Sequence, residues 1–297
     1  MKMASYGVAA IRPLPSIMTA KLASRFAMML HALAHRQSSK ISHQNPNHNS
    51  AYGAARVLIY CLLLLWVLLW PPAAQADAVY RTQSASPDGT GKVFLDREIA
   101  QVMGWEGAGW LERPERDKEE DSAKLMQILN VQHGMIVADI GAGTGYYSRR
   151  MAEKIGLSGK VYAIDIQPEM LALIRKTAVL AGLTTITPVL GQVDSVPLPP
   201  ASIDLALMVD VYHELTFPRE VLASIILALR PEGRIVFVEY RAEDPRVPIK
   251  PLHKMSEAQI KRESAIHPEL IWERTANSLP WQHVVVFRKR SEATQSP

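Results

Sequence analysis

Apolar residues fall into two regimes along the chain. From Met135 onward, short apolar runs alternate with segments of helical period. The runs Met135–Ile140, Lys160–Ile164, Thr184–Leu190, Ile203–Val209 and Arg234–Glu239 predict strands. Thr144–Ile155, Pro168–Ala181 and Pro218–Leu229 predict helices between them. Pro168 stands in the first turn of its helix, where its missing N–H costs nothing. Ser256-Glu-Ala-Gln259 is a capping-box pattern that opens a further helix, and Glu119–Leu129 predicts a helix ending before Gly134. Leu270–Arg274 and His283–Arg288, with a turn at Leu279-Pro280, predict two closing strands. Strands alternating with helices imply an α/β fold with a mostly parallel sheet and helices on both faces. The closing strand pair implies one antiparallel strand at an edge.

The other regime lies upstream. Val57 to Trp70 reads VLIYCLLLLWVLLW, fourteen apolar residues preceded by Arg56 and followed by Pro71-Pro72. A membrane-spanning helix needs about 20 such residues, a signal-peptide core roughly 7–15. Ala74-Gln75-Ala76 offers a cleavage site. Residues 57–76 are therefore read as an export signal, with an uncleaved anchor and membrane association through 57–70 as the alternative. Residues 1–56 are long for a signal's leading region and carry no Asp or Glu. Either they are a transit segment or the true start lies downstream, Met29 being one candidate. Residues 77–124 are polar and poorly periodic, and are expected to be an extension or lid that brings Trp105 and Trp110 over a pocket. Residues 125–297 form the main domain.

Charge and cysteine usage narrow the function. The net charge of +4 belongs to the leader: residues 77–297 hold all 29 acidic side chains but only 26 of the 33 basic ones. The folded part is thus no electrostatic match for nucleic acid. The one cysteine, Cys61, lies in the apolar run, so disulfides, cysteine-ligated zinc and a cysteine nucleophile are excluded from the body. Five histidines scattered through the body show no metal-ligand spacing.

The chemistry gathers at VADIGAGTGYYS, residues 137–148. A dinucleotide turn is G-x-G-x-x-G; here Gly141 and Gly143 fit, but the last position is Tyr146 and the third glycine, Gly145, comes one residue early. The pattern is instead D-x-G-x-G-x-G, opened by Asp139. A carboxylate there repels a pyrophosphate and attracts an ammonium, which suits S-adenosylmethionine. Asp165, twenty residues after Gly145 at a strand end, suits hydrogen bonds from ribose hydroxyls. Within Gly191-Gln-Val-Asp194, Asp194 suits an adenine amino group and Val193 the adenine ring.

These motifs, with the run Leu229-Arg-Pro-Glu-Gly-Arg-Ile-Val-Phe-Val-Glu239, resemble class I S-adenosylmethionine-dependent methyltransferases over roughly residues 125–289. Glu239-Tyr-Arg241, His253-Lys-Met255 and Leu279-Pro-Trp-Gln-His283 look like a subgroup that names no acceptor. The resemblance implies a seven-stranded sheet with the last strand antiparallel, S-adenosylmethionine as cofactor, and a small-molecule or lipid-like acceptor. It places the loop Asp210-Val-Tyr-His-Glu214 beside the methyl group. Asp210 would line the methionine end, and Tyr212, His213 and Glu214 would face the acceptor. His213 is the candidate base, because an unperturbed imidazole titrates near pH 6.5; a structural loop histidine is the alternative. Arg241, His253 and Lys254 are candidates for an acidic substrate. Arg113 and Arg116, among Glu112, Glu115 and Glu119, read as a salt-bridged helix face.

The leader and the motif pull apart, since S-adenosylmethionine is made in the cytosol and the leader sends the body elsewhere. Import of the cofactor, an anchor, or a misassigned start would reconcile them. So would a non-catalytic exported protein that binds a nucleoside-type ligand on this fold. An NAD-dependent oxidoreductase is the third reading, opposed by Tyr146 and Asp139. Oligomeric state is left open.

Overall fold

The computed structural model describes residues 79–291. The export signal, the alternative anchor and the 1–56 segment lie outside the described residues. Among those described, no helix is long and apolar enough to cross a membrane.

Ten strands and seven helices are described. In chain order they are β1 (Tyr80–Thr82), β2 (Gly89–Phe94), β3 (Arg97–Ala100), α1 (Ala108–Leu111), α2 (Arg116–Glu120), α3 (Ser122–Leu129), β4 (Ile136–Ile140), α4 (Tyr146–Ile155), β5 (Lys160–Asp165), α5 (Pro168–Leu180), β6 (Ile186–Leu190), β7 (Ile203–Val209), α6 (Pro218–Ala228), β8 (Leu229–Tyr240), α7 (Glu257–Ser264), β9 (Leu270–Ala276) and β10 (Gln282–Lys289).

Seven strands form one sheet in the order β6-β5-β4-β7-β8-β10-β9. Strands β6, β5, β4, β7 and β8 run parallel, while β10 is antiparallel to both β8 and β9. The antiparallel strand is therefore the last one, but it is inserted beside β8 and does not form the edge. The side chains explain the placement. Gln282 to Phe287 are all buried, as an inner strand requires, whereas β9 carries the half-exposed Glu273 and Arg274 that an edge tolerates.

Period-2 alternation divides the core. Val137, Leu205, Leu207, Val236, Val238, Val284 and Val286 face one layer, with α3, α4 and α5. Ala138, Ala206, Met208, Ile235, Phe237, Val285 and Phe287 face the other, with α6 and α7. The chain runs outward from β4 through β5 and β6 on one side, and through β7 and β8 on the other. The order thus reverses between β4 and β7, where doubly wound sheets open a crevice beyond their carboxyl ends.

Upstream, the structure departs from expectation. Part of the stretch read as aperiodic is a three-stranded antiparallel sheet, β1-β2-β3. Its β2–β3 turn puts Leu95 and Asp96 at φ 44° and 70°, the left-handed pair of a tight hairpin, without the Asn-Gly signature that announces one. The helix predicted over Glu119–Leu129 is two. Asp121 adopts φ 48° between them, and its carboxylate caps α3 by accepting from Lys124 N at 3.0 Å. The capping box at Ser256 forms by half. Ser256 Oγ accepts from Gln259 N, but the Gln259 side chain donates to Leu95 O and Glu263 instead.

Candidate active site

A cleft of about 400 Å3 opens at the reversal point, within the usual range of ligand sites. Its floor comes from the ends of β4, β5 and β7 and its roof from the stretch before the main sheet. Gly141, Gly143, Asp165, Val193, Asp210, His213 and Glu214 line it, with Val102, Met103, Trp110, Leu111 and Arg116 from upstream. Of the two tryptophans, Trp110 lines the cleft. Trp105 does not line the cleft. Its backbone N–H donates to Gln167 Oε1, and Gln167 Nε2 donates to Met103 O, a double clamp that fixes the strap to the start of α5.

The glycine turn shows why two of its three glycines matter to a ligand. Gly141 has φ 65°, and a Cβ there would sit 2.2 Å from Val211 Cγ2. At Gly143, with φ 55°, the added carbon would meet Leu111 Cδ1 at 2.6 Å. Both leave backbone open to the cleft. Gly145 lies behind it as the left-handed N-cap of α4, against Ile174. Asp165 Oδ2 accepts from Gly143 N and its Oδ1 from Gln167 N, both at 2.9 Å. Burial pushes its carboxyl up, opposed by these backbone N–H groups. Each oxygen keeps a lone pair, so ribose hydroxyls can still donate to it.

Three assignments made from sequence change. Asp139 is not in the cleft wall. It is buried behind the turn, where Oδ2 accepts from Ser148 Oγ at 2.5 Å, and burial raises its carboxyl to about 6. Asp194 is exposed and accepts from Ser195 Oγ, while Gln192 and Val193 line the cleft. Tyr212 faces away from the acceptor side. The 3-10 turn Tyr212–Glu214 rotates its ring into the core, fully buried and edge-on to Phe237 at 4.9 Å.

Asp210 holds φ 52° and lines the cleft. Its Oδ2 accepts from Gln282 Nε2 at 2.6 Å, and its buried Oδ1 has no partner among the described residues. Burial pushes its carboxyl well above the usual range, with the Glu120 and Glu239 carboxylates adding to the effect. Arg116 is the residue sequence reasoning missed. The expected ion pairs exist, but they are not a solvated face. Arg116 is 5% exposed, donates to Glu120 Oε2 at 2.8 Å and to Leu111 O, and lies over the Tyr146 ring. A charge run reads as surface unless the tyrosines that cover it are known.

At the other end, His213 Nδ1 donates to Glu239 Oε2 at 2.6 Å, and Nε2 donates to His253 Nδ1 at 3.1 Å. Glu214 Oε1 lies 3.7 Å from His213 Nε2 and 3.4 Å from His253 Nδ1. Burial alone would lower the His213 pKa, but the Glu239 and Glu214 carboxylates outweigh it and raise it to about 10. Burial would raise Glu214; the His213 and His253 rings beside it and a hydrogen bond from Met103 N bring it down to about 2 instead. Both ring nitrogens of His213 are thus engaged, which leaves no free lone pair for a base. Glu239, ending the apolar run Ile235–Val238, is the partner that sequence spacing did not reveal. The histidines that looked scattered converge because β8 and the loop after it fold back onto the β7 loop. Arg241 and Lys254 are spent on backbone carbonyls: Arg241 donates to those of residues 279, 280 and 282, Lys254 to those of 244 and 247.

A profile of the methyltransferase domain family matches residues 132–282, half of the chain. The chain belongs to this methyltransferase family. A ubiquinone/menaquinone biosynthesis C-methyltransferase of Paraburkholderia phymatum is 31% identical over 111 residues, 37% of this chain and 45% of that protein. An uncharacterised methyltransferase of Mycobacterium tuberculosis is 34% identical over 111 residues, 37% of this chain and 42% of that one. The chain thus spans about half the length of the curated relatives it matches. The crystal structure of a SAM-dependent methyltransferase from Aquifex aeolicus superposes with a TM-score of 0.60 at 23% identity, over 63% of this chain and all of that one. That likeness shows the methyltransferase fold, as the strand order does.

The cleft suits the cofactor that the family and fold imply. Gly141 and Gly143 line it with bare backbone, and Asp210 beside them keeps a buried Oδ1 without a partner among the described residues, an acceptor that an ammonium can use.

Proposed function

We propose that this methyltransferase transfers a methyl group from S-adenosylmethionine to a small or lipid-like acceptor held under the upstream strap. In this reading Asp165 holds the ribose, Val193 packs on the adenine, and Asp210 and Arg116 receive the ammonium and carboxylate of the methionine end. The bound cofactor supplies an electrophilic methyl group. The chain supplies position: a nucleophile held in line with that methyl accounts for much of the acceleration. The acceptor side is walled by Val102, Met103, Leu215 and Ile249, with His213, Glu214 and His253 as its polar group. A hydroxylated aromatic or lipid-like molecule fits such a wall. Activity of one relative on quinone precursors points the same way, on under half of that protein's length.

The observation that carries the reading is Asp210, which lines the cleft beside Gly141 and Gly143 and keeps a buried Oδ1 unpartnered among the described residues. Calorimetric titration with S-adenosylhomocysteine and with NAD tests it. Binding of the first alone, weakened at least tenfold by Asp165→Ala, is the expected result. No adenosyl binding by folded protein would overturn the reading. Binding without turnover on any hydroxylated acceptor would favour the non-catalytic alternative.

A further inference from the structure

The acceptor end of the cleft contains a cluster that hydrogen bonding alone under-explains. His213 Nε2, His253 Nδ1 and Glu214 Oε1 face one another at 3.1, 3.4 and 3.7 Å, and all three residues line the cleft. Metal–ligand bonds of roughly 2.0–2.2 Å in a tetrahedron place the ligand atoms about 3.3–3.6 Å apart. The observed triangle has that size.

The surroundings match as well. A ligating histidine almost always gives its other ring N–H to a carboxylate, which fixes the ring and raises its basicity. His213 Nδ1 does so to Glu239 Oε2 at 2.6 Å, and Glu239 is in turn held by Tyr212 N at 2.9 Å. Glu214 has its second oxygen fixed by Met103 N at 3.2 Å, leaving Oε1 toward the histidines. Two carboxylates and two imidazoles around one point favour a dication. Arg97 buttresses the loop from behind. Its guanidinium pairs with buried Glu263 at 2.7 and 2.9 Å and donates to His213 O at 3.0 Å.

We infer that His213, Glu214 and His253 form a divalent transition-metal site, zinc or ferrous iron by donor type, at the acceptor end of the cleft. Two histidines and one carboxylate leave coordination positions open, and these face the cleft. Water or a hydroxylated acceptor bound through oxygen is the ligand class they would take. The acceptor part of this inference rests on the methyltransferase reading; the metal site does not.

The test is titration of metal-stripped full-length protein with Co(II), followed by Zn(II) in competition, read by the visible d–d absorption of cobalt and by bound-metal analysis. The wild type should show a low-coordinate cobalt spectrum that zinc abolishes. Residues 1–78 hold four further histidines and Cys61, so the difference between variants decides the count. One equivalent should vanish in His253→Ala and in Glu214→Gln. Glu239→Gln should weaken it by about 10–100-fold. The His253 side chain is 22% exposed, so its replacement leaves the core intact, and circular dichroism confirms folding. Should Glu214→Gln unfold, the comparison of wild type with His253→Ala decides. Absence of the cobalt spectrum in folded wild type, or its persistence in His253→Ala, overturns the site. S-adenosylhomocysteine calorimetry on the same samples separates the two ideas. Metal without adenosyl binding sinks the methyltransferase reading alone, and adenosyl binding without metal sinks the metal site alone.

Discussion

Gly141→Ala is the sharpest test of how the turn is built. Two costs meet at this residue. An L side chain at φ 65° carries about 1–2 kcal/mol of left-handed strain. The new Cβ also lies 2.2 Å from Val211 Cγ2 and 2.9 Å from Val211 Cβ, so the loop after β7 must move. Overpacking of this kind costs about 1–3 kcal/mol. The sum is about 2–5 kcal/mol. Gly182 supplies the control. It has φ 66° and nothing within 4 Å of an added Cβ, so Gly182→Ala carries the backbone strain alone. Urea unfolding of both variants should separate them by about 1–3 kcal/mol. The double variant Gly141→Ala with Val211→Ala should recover most of that difference as a coupling energy. Because Asp210 directly precedes Val211, Gly141→Ala should also weaken S-adenosylhomocysteine binding in the fraction that folds. If Gly141→Ala costs no more than Gly182→Ala, or Val211→Ala recovers nothing, the close approach of turn and loop is not what fixes glycine here.

Glu120→Gln should cost about 3–5 kcal/mol in urea unfolding, because Glu120 accepts from Arg116, Arg113, Tyr147 and Tyr240 and its loss of charge strands the buried Arg116; a shift under 1 kcal/mol would show that solvent reaches the guanidinium. Asp139 predicts a pH dependence. Its folded pKa of about 6 exceeds the 3.8 of the unfolded chain, so stability falls as pH rises from about 4 to about 6, by at most about 3 kcal/mol, and is flat above. Asp139→Asn should lack that fall, and parallel profiles for the two proteins would refute the assignment. Export through residues 57–76 predicts a mature protein beginning at Asp77, checked by N-terminal sequencing from the native host; a retained Met1 would rule out cleavage.

Elements fixed by local rules were legible in the sequence. Strand β7 has the bounds the apolar run predicts, and β4, β5 and α4 differ from expectation by one or two residues. Apolar runs and a glycine turn announce themselves without tertiary context. The failures share a cause. Asp139, Asp194 and Tyr212 were assigned by position in a motif, but whether a side chain enters the cleft depends on the rotation of a turn by one residue. Glu239 stands in the sequence only as part of a motif and His253 as a candidate for an acidic substrate, because their meeting with His213 requires the pairing of β7 with β8 and the return of the following loop. The β2–β3 hairpin escaped because its turn uses Leu95 and Asp96 in a conformation that neither residue advertises.

The cleft is assembled from two parts of the chain. Gly141, Gly143, Asp165, Val193 and Asp210 all lie within the segment matched by the methyltransferase family, residues 132–282. Val102, Met103, Trp110, Leu111 and Arg116 lie before it. The two are joined by many polar contacts, among them Arg149 to Glu112, Lys250 to Asp88 and Arg262 to Asp96. Gln167 clamps Met103 and Trp105, Arg97 pairs with Glu263, and Arg116 reaches Glu120, which Tyr240 also holds. Met103 N also fixes the Glu214 carboxylate at the edge of the histidine cluster. The upstream strap therefore does more than cover the site, because it orients a residue of the polar end. Acceptor choice would follow the strap, and adenosyl binding the family segment. Breaking the Gln167 clamp with Gln167→Ala should thus change acceptor turnover far more than S-adenosylhomocysteine affinity. An equal loss of both would mean that strap and cofactor floor act as one unit.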